Sequence, residues 1–153
     1  MKLYRLCSVR HQATAFTGIG ASMAGGRWNS RGVALVYTAA SLPLAALECL
    51  VHFSAQTLPD DYVSILLTVP SRVSIKRVKS SALPDDWSEN DSPEITRKLG
   101  NEWARQQRSL VLQVPSAIIP SEYNYLINPQ HADFPLLQIE SPIPFKFDPR
   151  LKA

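Results

Sequence analysis

Residues 25–54 read GGRWNSRGVALVYTAASLPLAALECLVHFS, and within these thirty positions the apolar pattern changes from strand-like to helical. GGRWN and VALVYT are two strand-like pieces separated by Ser30, Arg31 and Gly32, a hairpin spacing with a glycine placed to supply positive φ. Paired in this way, Arg27 and Tyr37 would face one another. Ser41 then offers an N-cap for a helix from Leu42 to about Ser54, with Pro43 in the first turn, where its missing N–H costs nothing. That helix is nearly apolar all round. Leu44, Leu47 and Val51 form a stripe at i, i+3 and i+7, and Glu48 occupies the i+4 slot of the same stripe. Strands and helices alternating over so short a span predict an α+β chain rich in strands.

Working outward, Lys2 to Cys7 reads as a strand too short to reveal its buried face, and the stretch TGIGASMAGG after it as a glycine-bearing loop. Beyond Asp61, YVSILLTVP reads as a core strand and SRVSIKRV as a more exposed one, followed by the polar linker SSALPDDWSENDS. Ser92 is placed to cap a second helix reaching about Gln107. Pro93 would take its first position, Glu94 would sit near its positive end, and Ile95, Leu99 and Trp103 are spaced four apart. From Ser109 to the end, strands broken by prolines add sheet rather than a new domain, so one domain over residues 1–153 is expected.

Composition narrows the function classes. Net charge is +3, but of the sixteen Lys and Arg residues only Lys76, Arg77 and Lys79 crowd together, and they lie in a strand-like stretch where they read as a solvated edge that discourages edge-to-edge pairing. No basic stripe is interleaved with exposed aromatics, so direct nucleic-acid binding is not expected. No apolar run approaches the roughly 20 residues of a membrane span, and MKLYRLCSVR lacks the apolar region of a secretory signal, so a cytoplasmic protein with no membrane contact is expected. Cys7 and Cys49 are isolated and read as small buried hydrophobes. His11, His52 and His131 lack ligand spacing, which predicts no metal. His131, in NPQHADF, reads as a turn histidine.

Glu48 is the most informative residue. A carboxylate on an apolar stripe must be partnered, unless it turns out to the rim, and Arg27 is the best partner in sight, since a guanidinium can bind a carboxylate or a phosphate through two parallel hydrogen bonds. Arg27 as a plain surface cation is the competing reading. Tyr37 reads equally as a core aromatic or as a flat face for a ligand ring with its hydroxyl hydrogen-bonded. Gly18 and Gly20 lack the βαβ context of a dinucleotide-binding glycine loop. Ser116, after Pro115 at a strand end, reads as a turn hydroxyl, with no His and Asp spaced to make it a nucleophile.

Taken together, YRL, GIGA, GGRWN, VYTA, the helix with Glu48, GNEW, VPSAIIP, EYNYLINPQHADF and FKFDPRL resemble the RES domain family over almost the whole chain, in the family's order. The arginine, glutamate and serine that name that family fall on Arg27, Glu48 and Ser116, and its active-site tyrosine on Tyr37. The resemblance implies a mixed, strand-rich core similar to the ADP-ribosyltransferase toxins, with a central cleft for NAD and a few helices around it. It implies a toxin of a toxin–antitoxin pair that cleaves the nicotinamide–ribose bond of NAD by hydrolysis or phosphorolysis. The alternative is transfer of ADP-ribose to a metabolic protein; less favoured are a nucleic-acid-acting toxin and a non-catalytic NAD-binding module. NAD would be substrate, with no further cofactor. Arg27, Tyr37 and Glu48 would carry catalysis, and Arg5, Arg27, Tyr37, Ser116 and Asn124 would bind NAD. The implied partner is an Xre-like helix-turn-helix antitoxin, dimeric in its own right, whose terminal segment blocks the cleft; a toxin homodimer is also compatible.

Overall fold

The computed structural model describes residues 1–54, 58–89 and 94–152. Along the chain run β1 (Lys2–Ser8), α1 (Ile19–Ala24), β2 (Val36–Ala39), α2 (Leu42–Leu50), β3 (Tyr62–Thr68) and β4 (Ile75–Arg77), then α3 (Glu94–Gln106), β5 (Val111–Pro115), β6 (Tyr123–Ile127), β7 (Gln138–Ile139) and β8 (Ile143–Phe145). All eight strands join one sheet in the order β4-β5-β6-β2-β1-β3-β7, with β8 also pairing β3. Among the described residues β4 and β5 pair in parallel and the other strand pairs are antiparallel. The expected α+β, strand-rich class is what forms.

The sheet has one weak seam. β1 and β3 zip together over seven pairs, from Lys2↔Thr68 to Ser8↔Tyr62, and β2 and β6 over four. Between them, β1 and β2 share a single registered pair, Tyr4↔Ala39. Beyond that pair, backbone groups that the two strands do not offer each other need other partners. Arg5 Nη1 supplies one, donating to the Tyr37 carbonyl at 2.8 Å.

Several local expectations are corrected. GGRWN is not a strand: Gly26 and Asn29 form an isolated bridge around a tight turn at Arg27 and Trp28, so no hairpin joins it to VALVYT, of which only Val36 onward enters the sheet. TGIGASMAGG is not a loop throughout, because α1 occupies Ile19–Ala24 behind Gly18, whose φ of 72° suits a residue without a side chain. Ser41 does cap α2, accepting from the Leu44 N–H at 3.3 Å, but the helix ends at Leu50 rather than near Ser54. Its core face is Leu44, Ala45, Ala46 and Leu50, while Val51 is exposed. The linker contributes Leu83 and Trp87 to a core cluster with Trp28, Trp103, Leu112 and Leu126. Ile95 is exposed, and α3 buries Thr96, Gly100 and Trp103 instead. The Ser92 cap and Pro93 lie outside the described residues. Lys76 and Arg77 lie on the exposed edge strand β4, as expected. Among the described residues no helix is long and apolar enough to cross a membrane.

At Gly100, α3 packs directly on the Arg27 turn. A Cβ on Gly100 would overlap the Trp28 carbonyl oxygen, backbone that cannot swing aside. Gly100→Ala is therefore expected to cost roughly 3 kcal/mol in urea unfolding, from overpacking. At Gly20 a Cβ meets nothing within 4 Å. There alanine should stabilise by up to about 1 kcal/mol through helix propensity, and equal effects at the two glycines would contradict this packing.

Candidate active site

The seam between β1 and β2 borders a cleft of about 1040 Å³, at the upper end of the range for small-molecule sites. Its walls come from α1, the Gly25–Arg31 segment, Tyr37 of β2, the C-terminal half of α2 and the β5–β6 connection. Among the described residues that line it, Arg5, Arg27, Arg31 and Arg97 face one carboxylate, Glu48. Such a balance favours an anionic ligand.

Glu48 is on the half-buried side of α2. Ser116 Oγ donates to its Oε1 at 2.7 Å and Asn124 Nδ2 donates to the same oxygen at 2.5 Å; Oε2 accepts nothing from the described residues. The expected partner was Arg27, and this is corrected: no ion pair joins them, although both border the cleft. Ser116 is wholly buried and sits behind Glu48 rather than on the cleft surface. Its oxygen also accepts from the Ile118 and Ile119 N–H groups at 3.1 and 3.0 Å, the turn role expected of it.

Arg27 is held by backbone. Its Nη1 donates to the carbonyls of Trp87 at 2.8 Å and Glu89 at 3.0 Å. Partial burial lowers its pKa, partly offset by the charge of Glu48 and by Tyr37. Tyr37 meets the Arg27 turn through its hydroxyl rather than across a hairpin: Oη accepts from the Trp28 N–H at 3.1 Å and donates to Asn29 Oδ1 at 2.7 Å. Burial pushes the phenol up to about 12, with the Trp28 hydrogen bond and the Arg27 charge pulling the other way. Arg5 and Asn124 each keep one buried polar atom, Nε and Oδ1, without a partner. Unsatisfied groups beside a cleft are what a ligand or water would complete.

Sequence reasoning missed Asn29, Thr96, Arg31, Arg97 and His52. His52, four residues after Glu48 and just beyond α2, lines the cleft; its i+4 spacing was the one available signal. Asn29 and Thr96 carried none, since nothing local marks a polar residue that will be buried by a partner tens of positions away. His131 is a turn residue, its Nδ1 accepting from the Asp133 N–H at 3.0 Å. No group of three or more His, Cys, Asp and Glu placed to hold a metal occurs among the described residues.

Residues 2–148 match the family described as RES domain. The chain is 38% identical over 153 residues to the Toxin Res of Yersinia enterocolitica, covering 99% of this chain and all of that one. It is 37% identical over 143 residues to the Prs ADP-ribosylating toxin of a Sphingobium species, covering 92% of this chain and 89% of the relative. The fold is also similar to that in the crystal structure of the Mycobacterium tuberculosis MbcT–MbcA toxin–antitoxin complex, with a TM-score of 0.77 at 19% identity, covering 99% of this chain and 86% of that one.

The buried neutral groups at the site set a pH limit on stability. Burial raises the Cys49 thiol from 9.0 to about 11 and the Tyr37 phenol from 10.0 to about 12. A raised value means the unfolded chain ionises first, so their contribution is intact below about pH 9 and is lost as pH rises to 11 for Cys49 and from 10 to 12 for Tyr37. Each should be worth roughly 2–3 kcal/mol at the top of its window, at about 1.4 kcal/mol per pH unit. Urea unfolding between pH 8 and 12 should show this decline. Cys49→Ala should flatten its lower part and Tyr37→Phe its upper part; unchanged curves would contradict the burial of both groups.

Proposed function

The chain belongs to the RES domain family, and we propose that it is the toxin of a toxin–antitoxin pair that breaks the bond between nicotinamide and ribose in NAD. The observation that carries this reading is the anchored carboxylate: Glu48 held by Ser116 and Asn124 at a cleft that Arg5, Arg27, Arg31 and Arg97 also border.

The chemistry follows from the bond. As the ribose C1′–N bond breaks, its electron pair leaves with neutral nicotinamide and positive charge develops on the ribose, giving an oxocarbenium-like state. A carboxylate fixed beforehand stabilises that charge without having to reorganise. Glu48 would grip the ribose 2′-hydroxyl and oppose the charge, with Asn124 beside it. Arg27, and Arg5 at the seam, would hold the pyrophosphate through their free N–H groups. The Tyr37 hydroxyl is already engaged twice, which leaves its ring as the part able to pack on nicotinamide. Water, or phosphate, then adds at C1′ and loses a proton. The second reading, transfer of ADP-ribose to a protein nucleophile, is favoured by the name of the Sphingobium relative.

An Xre-like antitoxin, itself dimeric, is the proposed partner, as the structural neighbour is a toxin solved with its antitoxin. Its terminal segment would occupy the cleft. Val51, exposed just beyond α2, borders the cleft and offers apolar surface to that segment.

Glu48→Gln keeps an amide oxygen that can accept from Ser116 and Asn124, so the fold should survive. Nicotinamide release from NAD should fall about 10²–10³-fold. Chromatography of the products, run with and without phosphate and with candidate acceptor proteins, checks this and separates the two readings. A folded Gln variant releasing nicotinamide at the full rate would refute the role of Glu48.

A further inference from the structure

We propose that Thr96 and Asn29 are positioning residues that fix Arg27 for substrate, so that α3, outside the chemistry, sets the affinity for NAD. This rests on the NAD reading of the cleft.

Arg27 is secured at both ends by one distant region of the chain. Thr96, wholly buried in the first turn of α3, donates through Oγ1 to the Arg27 carbonyl at 2.6 Å. The guanidinium is held by the Trp87 and Glu89 carbonyls. From the other side, Asn29 Nδ2 donates to the Ala21 and Val33 carbonyls at 2.8 and 3.0 Å while its Oδ1 accepts from Tyr37. Tyr37 Oη receives the Trp28 N–H, and Gly100 lets α3 close against the Trp28 carbonyl. The turn therefore cannot shift or rotate without breaking bonds to three elements.

A long, flexible cation ordered before its ligand arrives loses less freedom when the ligand binds. The neutral anchors occupy one guanidinium nitrogen and leave the others to an anion. A merely structural Thr96 would affect stability alone. A positioning Thr96 would affect binding, and would leave the bond-breaking step at Glu48 as it is.

The experiment compares Thr96→Val, which swaps the hydroxyl for a methyl at nearly equal volume, with Thr96→Ser, which keeps it. Nicotinamide release is followed against NAD concentration, and ADP-ribose binding is measured by calorimetry on the same proteins, with folding checked by thermal melts. Thr96→Val should raise KM for NAD and Kd for ADP-ribose about tenfold, with kcat within twofold, and Thr96→Ser should stay near the parent. Unchanged KM and Kd in the Val variant, a loss confined to kcat, or equal losses in the Ser variant would overturn the proposal. If the parent binds ADP-ribose but releases no nicotinamide, the NAD-cleavage reading fails and the clamp is judged on ADP-ribose affinity. If it binds no ADP-ribose, the clamp proposal falls. Should Thr96→Val not fold, Tyr37→Phe removes the opposite anchor and must weaken ADP-ribose binding by a similar factor.

Discussion

The single registered pair between β1 and β2 is the constraint from which the site follows. A sheet zipped by seven pairs on one side of a strand and one pair on the other must open on the weak side, and every backbone group exposed there needs a partner. Arg5 answers part of that demand by donating to the Tyr37 carbonyl. The result is a crevice into the sheet whose base holds a cation and a tyrosine, with no helix having to be displaced to make room.

The walls of the crevice depend on two close approaches that are separate in sequence. On one side α2 presents Glu48, and Ser116 of the β5–β6 connection and Asn124 of β6 meet it. On the other, α3 presses on the Arg27 turn at Gly100, where no side chain larger than hydrogen fits. The core clusters beneath the two walls are distinct: Leu6 and Ala39 pack with Leu44 of α2, and Trp28 and Trp87 with Trp103 of α3. The tilted contact of Trp28 and Trp87, with ring centres 6.1 Å apart, ties the Arg27 turn to the loop whose carbonyls hold the guanidinium. Fold stability and site geometry thus share the same contacts.

What was legible in the sequence was what local pattern or family order could carry. The Ser41 cap, the helix it starts, the alternating β3 strand and the exposed edge at Lys76 and Arg77 are properties of short windows, and each formed. The hairpin at Ser30 to Gly32 did not form, because the pull of α3 on Trp28 and of Asn29 on its surrounding carbonyls outweighs the strand propensity of a five-residue stretch. Within TGIGASMAGG the six residues Ile19–Ala24 became a helix, and Asn29 Nδ2 donates to its Ala21 carbonyl from outside the stretch. Of the site, Arg27, Tyr37, Glu48 and Asn124 were named and meet at one cleft, as does Arg5. The residues that hold the Arg27 turn were invisible, since a buried Asn29 or Thr96 differs in no local way from an exposed one.

The failure of Arg27 and Glu48 to pair is itself informative. Had they formed an ion pair, each would have cancelled the other, and a ligand would have had to break that bond before using either charge. Instead each charged group is fixed by neutral dipoles: Arg27 by two carbonyls, Arg5 by one, and Glu48 by a hydroxyl and an amide. Dipoles fix position without removing charge. In a cleft walled partly by apolar side chains, charges held in this way keep their full field for whatever enters, which is the arrangement that stabilising a transient charge requires.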